Sequence, residues 1–215
     1  MKKKIYKKFD KTVIGSLPLV SFEGKIVTVI SETEASRAVD FLLSQSIIGI
    51  DTETKPAFKR GVVHQVALLQ VSTHDTCFLF RLNHLGLSPS IVRLLTDKTV
   101  PKVGLSLHDD LNMLHKRGDF QAGTFIDLQN VVKQIGIEDM SLQKLYANLF
   151  GMRISKSQQL SNWQADVLTD KQKRYAATDA WACIIIYEEL MRLNESKEYE
   201  LCETNEPQQN EQKDS

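Results

Sequence analysis

Asp51 and Glu53 stand one residue apart at the end of a short apolar run, Ile47-Ile48-Gly49-Ile50, with Pro56 soon after. A β-branched run of this kind reads as a buried strand, and proline cannot donate to a ladder, so the strand stops before it. Side chains alternate faces along a strand, so the i, i+2 spacing turns both carboxylates the same way. Two carboxylates at the mouth of a buried strand repel each other unless positive charge lies between them. A hard divalent cation such as Mg²⁺ or Mn²⁺ meets that demand, because it prefers oxygen ligands and keeps waters in its shell. With 27 acidic residues in the chain such a triplet also arises by chance, so a solvated strand edge is the alternative until other residues join the pair.

Two later stretches offer partners. Val103 to Leu111 runs from a strand end into a helix start and carries the doublet Asp109-Asp110. Open α/β folds place their sites at that carboxyl edge. Negative charge near a helix N-terminus is favourable in itself and accounts for one of the two. Asp110, followed by Leu111 and Leu114, is the candidate for function. Thr169 and Gln172 then form a capping box that opens a long helix. Tyr175 and Asp179 share one face of it, a turn apart, and Ala176, Ala177 and Ala180 leave that surface uncrowded. A carboxylate on a helix rich in Ile184, Ile185 and Ile186 needs a partner, since an unpaired buried one costs several kcal/mol. The Tyr175 hydroxyl could be that partner, and so could a cation.

Taken together, these stretches resemble the DEDD superfamily of 3′-to-5′ exonucleases. Within it, the similarity is to the tyrosine-containing branch with ribonuclease D and the Werner-syndrome-type exonuclease domain. The first family motif is matched by Asp51-Thr52-Glu53, the second by Gly104 through Asp110-Leu111, the third by Tyr175-x-x-x-Asp179. Lys156-Ser157 and Ser161-Asn162-Trp163 are similar to the stretch that precedes the third motif. The resemblance implies an α/β, ribonuclease H-like mixed sheet, antiparallel at its start and then parallel, flanked by helices. It also implies two divalent cations, Mg²⁺ or Mn²⁺: Asp51 bridging both, Glu53 and Asp179 completing one, Asp110 holding the second through water. Tyr175 would orient the attacking water. The implied reaction releases nucleoside monophosphates from the free 3′ end of a single-stranded or recessed nucleic acid. DNA is expected ahead of RNA. The alternatives are a ribonuclease D-like RNA processing enzyme and a non-catalytic nucleic-acid-binding module; four intact carboxylates and the tyrosine speak against the latter.

The elements that must position these residues follow from periodicity and caps. Strands are expected at 26–30, 47–51, 62–71, 76–80 and 100–105. Helices are expected from the Ser31–Glu34 capping box to about 45, then at 91–95, 109–116, 127–135, 141–150 and 170–193. Thr52, Lys55, Phe58, Lys59 and Arg60 around the first motif, with Lys156, Trp163 and Arg174 before the third, are candidate nucleic-acid contacts. The cations would meet phosphates, while Phe58 and Trp163 could stack on bases.

A 215-residue chain with 42% apolar content fits one larger domain. Its zero net charge hides an asymmetry: residues 1–11 carry six Lys against one Asp, and residues 195–215 carry seven acids against two Lys. The expected division is a basic arm at 1–24, an exonuclease domain at 25–194 and a disordered acidic tail at 195–215. No apolar run approaches membrane-spanning length, and Cys77, Cys183 and Cys202 form no paired pattern, so a cytoplasmic protein with reduced thiols is expected.

Overall fold

The computed structural model describes residues 2–205. From the N-terminus the strands and helices are β1 (Lys3–Lys8), β2 (Leu19–Val20), β3 (Lys25–Val29), α1 (Glu32–Leu42), β4 (Ile48–Thr54), β5 (Val66–Ser72) and β6 (Thr76–Arg81). They continue with α2 (Leu82–Leu85), α3 (Pro89–Thr96), β7 (Lys102–Gly104), α4 (Leu107–His115), β8 (Phe125–Asp127) and α5 (Leu128–Gln134). The last are α6 (Leu142–Phe150), β9 (Arg153–Ile154), α7 (Asp170–Ser196) and β10 (Tyr199–Thr204).

A six-stranded sheet in the order β3-β6-β5-β4-β7-β8 forms the centre. β4, β5 and β6 pair antiparallel, whereas β7 and β8 join β4 in parallel, and β3 closes the far edge parallel to β6. This is the mixed α/β sheet expected, antiparallel at its start. Ile48 and Ile50 of β4 pack in one core with Val39 and Leu42 of α1, Leu94 and Leu95 of α3, and Leu107 and Leu114 of α4. Helices α5, α6 and α7 build a second core through Val132, Leu145, Ala182 and Ile186. Every residue of β5 is buried, which suits its place between two neighbours under helices on both faces.

The predicted capping boxes are present: Ser31 with Glu34 opens α1 and Thr169 with Gln172 opens α7, while Ser141 caps α6. The long α7 lies close across β4 because Gly49 has no side chain. A Cβ there would stand 1.9 Å from the carbonyl oxygen of Ala180. Gly49→Ala must therefore push α7 off the sheet. It should cost at least the roughly 1–3 kcal/mol typical of overpacking, read as a lower denaturation midpoint, with loss of cation binding because Asp179 travels with the helix.

Three expectations change. The strand expected from 62 begins at Val66, and the 55–65 connection is irregular. The first 24 residues are no free arm: β1 pairs in parallel with β10, Lys3 against Tyr199 through Lys8 against Thr204, with Ile5 fully buried. The disordered tail expected from 195 is likewise corrected over 195–205, where α7 ends and β10 follows. Apolar burial and charge are the physical reasons: Ile5 packs with Tyr199 and Leu201 against the second core. Lys3 pairs with Glu189, Lys7 with Glu203, and Lys8 with Glu138 at 3.3 Å. The rest of that tail, 206–215, lies outside the described residues. No helix among the described residues is long and apolar enough to cross a membrane.

Candidate active site

At the carboxyl end of β4, Asp51 and Glu53 face α7, as Gly49 does, by strand alternation. Asp179 comes down from α7, and carboxylate oxygens of Asp51, Glu53 and Asp179 all lie within 4.8 Å of one another. Asp179 is only 7% exposed. Thr52 faces the other way, and its hydroxyl donates to Oδ1 of Asp110 on α4. Asp110 thus stands beside the three-carboxylate group without entering it. Asp109 is exposed and Asp110 half-buried.

Such a cluster is electrostatically costly. Burial, followed by the charges of Asp110, Asp179 and Glu53, pushes the Asp51 carboxyl well above the usual carboxylate range. Burial, followed by the charges of Asp179 and Asp110, raises Glu53 to about 9. Burial lifts Asp179 to about 7 against the pull of the Tyr175 hydroxyl and the Lys156 charge. Asp110 is raised to about 6, again by burial first, with the Thr52 hydroxyl opposing. Hard oxygen donors that resist ionising together are the donor chemistry a divalent cation requires, and the residues present fit one.

Tyr175 hydrogen-bonds Asp179 one turn along α7. Burial, then the surrounding carboxylates, push its phenol far above the ordinary value. The group opens into a cavity of about 320 Å³ lined also by Ser141, the N-cap of α6, by Gln143 of α6, and by Ser155, Lys156 and Gln159.

The nucleic-acid candidates divide. Lys156 is exposed and lines the cavity. Phe58 is 83% exposed on the 55–65 connection, with Lys59 and Arg60 exposed and Lys55 half-buried. Arg174 is partly committed, donating to the Phe22 carbonyl at 2.8 Å and facing Glu23 at 3.8 Å. Thr52 is committed to Asp110. Trp163 is a correction. It is fully buried, tilted against Tyr175 at 6.0 Å between ring centroids and packed with Leu168 and Ala176, so it supports the tyrosine and cannot stack on a base.

One supporting residue lies outside the sequence motifs. Gln70 on β5 pairs across from Asp51 and donates through Nε2 to its Oδ2 at 3.1 Å. A lone amide in Ala67-Leu68-Leu69-Gln70-Val71 was the available signal, because a fully buried polar group needs a partner.

Residues 26–195 match the family profile described as 3′-5′ exonuclease, and the chain belongs to that family. Mouse "Bifunctional 3'-5' exonuclease/ATP-dependent helicase WRN" is 31% identical over 198 residues, covering 87% of this chain and 14% of that protein. DNA polymerase I of Aquifex aeolicus is 29% identical over 162 residues, covering 75% of this chain and 26% of that protein. The chain therefore spans a minor part of either relative. The crystal structure of the Aedes aegypti Nibbler EXO domain superposes with a TM-score of 0.74 at 22% identity, covering 84% of this chain and 95% of that one. The fold is thus the ribonuclease H-like one the resemblance implied. Members of the family hydrolyse phosphodiester bonds with divalent cations, for which the carboxylate cluster here is compatible.

Proposed function

We propose that the chain is itself a 3′-5′ exonuclease that removes nucleoside monophosphates from the free 3′ end of nucleic acid, DNA in the first instance. The observation that carries the reading is the convergence of Asp51, Glu53 and Asp179 within 4.8 Å beside Tyr175 and the cavity. Asp51, Glu53 and Asp179 would hold one Mg²⁺ or Mn²⁺, and Asp51 with Asp110 a second. Bound cations supply Lewis-acid stabilisation of the charge that builds on the phosphate and the attacking and leaving oxygens. Tyr175 orients the attacking water by its hydroxyl. Gln70 holds Asp51 in place from below. Lys156 at the cavity wall meets the phosphates, with Lys55, Lys59 and Arg60 further along the strand path. Exposed Phe58 is the remaining candidate for stacking on an unpaired base.

The preference for DNA is supported by the likeness to DNA polymerase I; the family also includes enzymes named for RNA, such as the E. coli RNase D structure. A gel assay with Mg²⁺ or Mn²⁺ on 3′- and 5′-labelled single-stranded DNA, recessed duplex and RNA tests activity, polarity and sugar preference together. Mononucleotide release from 3′ ends of DNA is expected. Cleavage confined to RNA would replace the substrate, and no cleavage of any would remove the activity. Free Cys77, Cys183 and Cys202 support a reducing, cytoplasmic location.

Three substitutions probe the roles. Tyr175→Phe should lower kcat by about 10²-fold with the calorimetric Mn²⁺ affinity unchanged, and weakened Mn²⁺ binding would contradict water positioning. Asp110→Asn should be severe and Asp109→Asn near wild type in turnover; the reverse ranking would mean that the exposed member of the doublet is the ligand.

A further inference from the structure

Asp127 ends β8 in register with Gly104 of β7, at the carboxyl edge that carries the site. Its position suits another cation ligand, yet its oxygens are spent on backbone amides. Oδ1 accepts from the Ser106 amide at 3.1 Å and the Gln129 amide at 2.9 Å, and Oδ2 accepts from the Leu107 amide at 2.9 Å. One carboxylate therefore caps α5, which it precedes, and α4, which lies elsewhere in the chain. Ser106, the N-cap of α4, makes no side-chain cap of its own and sits at φ 60°, ψ 35°. That left-handed conformation is unfavourable for a residue with a Cβ. Its hydroxyl instead accepts from Gln129 Nε2 at 2.6 Å, so both side chains of the Asp127–Gln129 pair hold the same turn.

Asp110 is the fourth residue of α4 after this turn, and its carboxylate accepts a hydrogen bond from the Thr52 hydroxyl. A released first turn would let the helix start unwind or rotate, carrying Asp110 away from Thr52 and from Asp51. We infer that Asp127 is a positioning residue for Asp110: by fixing Ser106 and the first turn of α4, it sets where the Asp110 carboxylate stands relative to the Asp51–Glu53–Asp179 group. The inference rests on the reading of Asp110 as a ligand of the second cation.

The test is calorimetric Mn²⁺ titration of the full chain, alongside turnover, for Asp127→Ser, Asp110→Asn and the double variant. Ser at 127 can still cap the Gln129 amide of α5 but is too short to reach α4. Asp127→Ser should weaken one class of Mn²⁺ site by about 10–100-fold and leave the other as in wild type. In the Asp110→Asn background the same change should remove nothing further from Mn²⁺ affinity or turnover, since it acts through a carboxylate already lost. Asp127→Asn, which keeps one acceptor oxygen, should fall between and serves if the Ser variant folds poorly. A lower melting temperature with an unchanged Mn²⁺ isotherm, or a full additional loss in the double variant, would overturn the inference. An unchanged isotherm for Asp110→Asn alone would overturn the ligand reading itself, and the inference with it.

Discussion

Asp179→Asn will lower the rate of 3′-end hydrolysis by at least about 10³-fold, while the metal-free protein melts no lower than wild type at pH 8. The two halves have one cause. Asp179 sits almost wholly buried within 4.8 Å of two other carboxylates, where burial opposes its charged form. Above its raised pKa of about 7 it is an ionised group in a site that also resists the ionisation of Asp51 and Glu53. Asn is nearly isosteric, accepts the Tyr175 hydroxyl through its amide oxygen and removes that charge. The apo protein is thereby relieved, and the cation loses a ligand. Turnover on end-labelled DNA and thermal melting in EDTA check both halves. Undiminished turnover would refute the assignment, and a sharp fall in the EDTA melting temperature would show that Asp179 serves the fold before it serves the cation.

The residues that were legible in the sequence are those whose partners are near in the chain or whose chemistry is costly when unpartnered. Ser31 with Glu34 and Thr169 with Gln172 are local devices, so α1 and α7 began where the capping boxes put them. Asp51, Glu53 and Asp179 stood out because acids at strand ends and on apolar helix faces need a reason to be there. What stayed hidden depends on partners distant in sequence. Lys3–Lys8 and Tyr199–Thr204 each look too polar to fold, and the burial of Ile5 against Leu201 and the Lys7–Glu203 pair arise only when the two are brought together across nearly the whole chain. β8 has three residues, too few for any period to emerge, and with it Asp127 was invisible as a cap for another helix. Trp163 misled because an aromatic near a nucleic-acid site fits either a base or the underside of Tyr175, and exposure alone decides.

Removing divalent cations should make the protein progressively less stable as pH rises from about 6 to 9, and adding Mg²⁺ or Mn²⁺ should restore it most at the alkaline end. The sign follows from the carboxyls of the site. An unfolded Asp or Glu ionises near pH 4, whereas here Asp110 is raised to about 6, Asp179 to about 7 and Glu53 to about 9, with Asp51 also raised. The folded chain thus holds protons that the unfolded chain has released. Stability from these groups is fully present below about pH 4 and is lost as pH passes through their folded values. Glu32, Glu34, Asp75, Asp97 and Glu189 are shifted downward, so their opposite contribution falls at lower pH and leaves this window clear. A bound cation needs the ionised carboxylates, so it displaces those protons and binds more tightly as pH rises. Melting temperatures in EDTA and in excess Mn²⁺ across this range should diverge, and calorimetric heats should depend on buffer ionisation enthalpy because protons leave as the ion enters. An EDTA melting curve that climbs from pH 6 to 9, with no proton release on Mn²⁺ addition, would mean that the acids are not held together as a cation site.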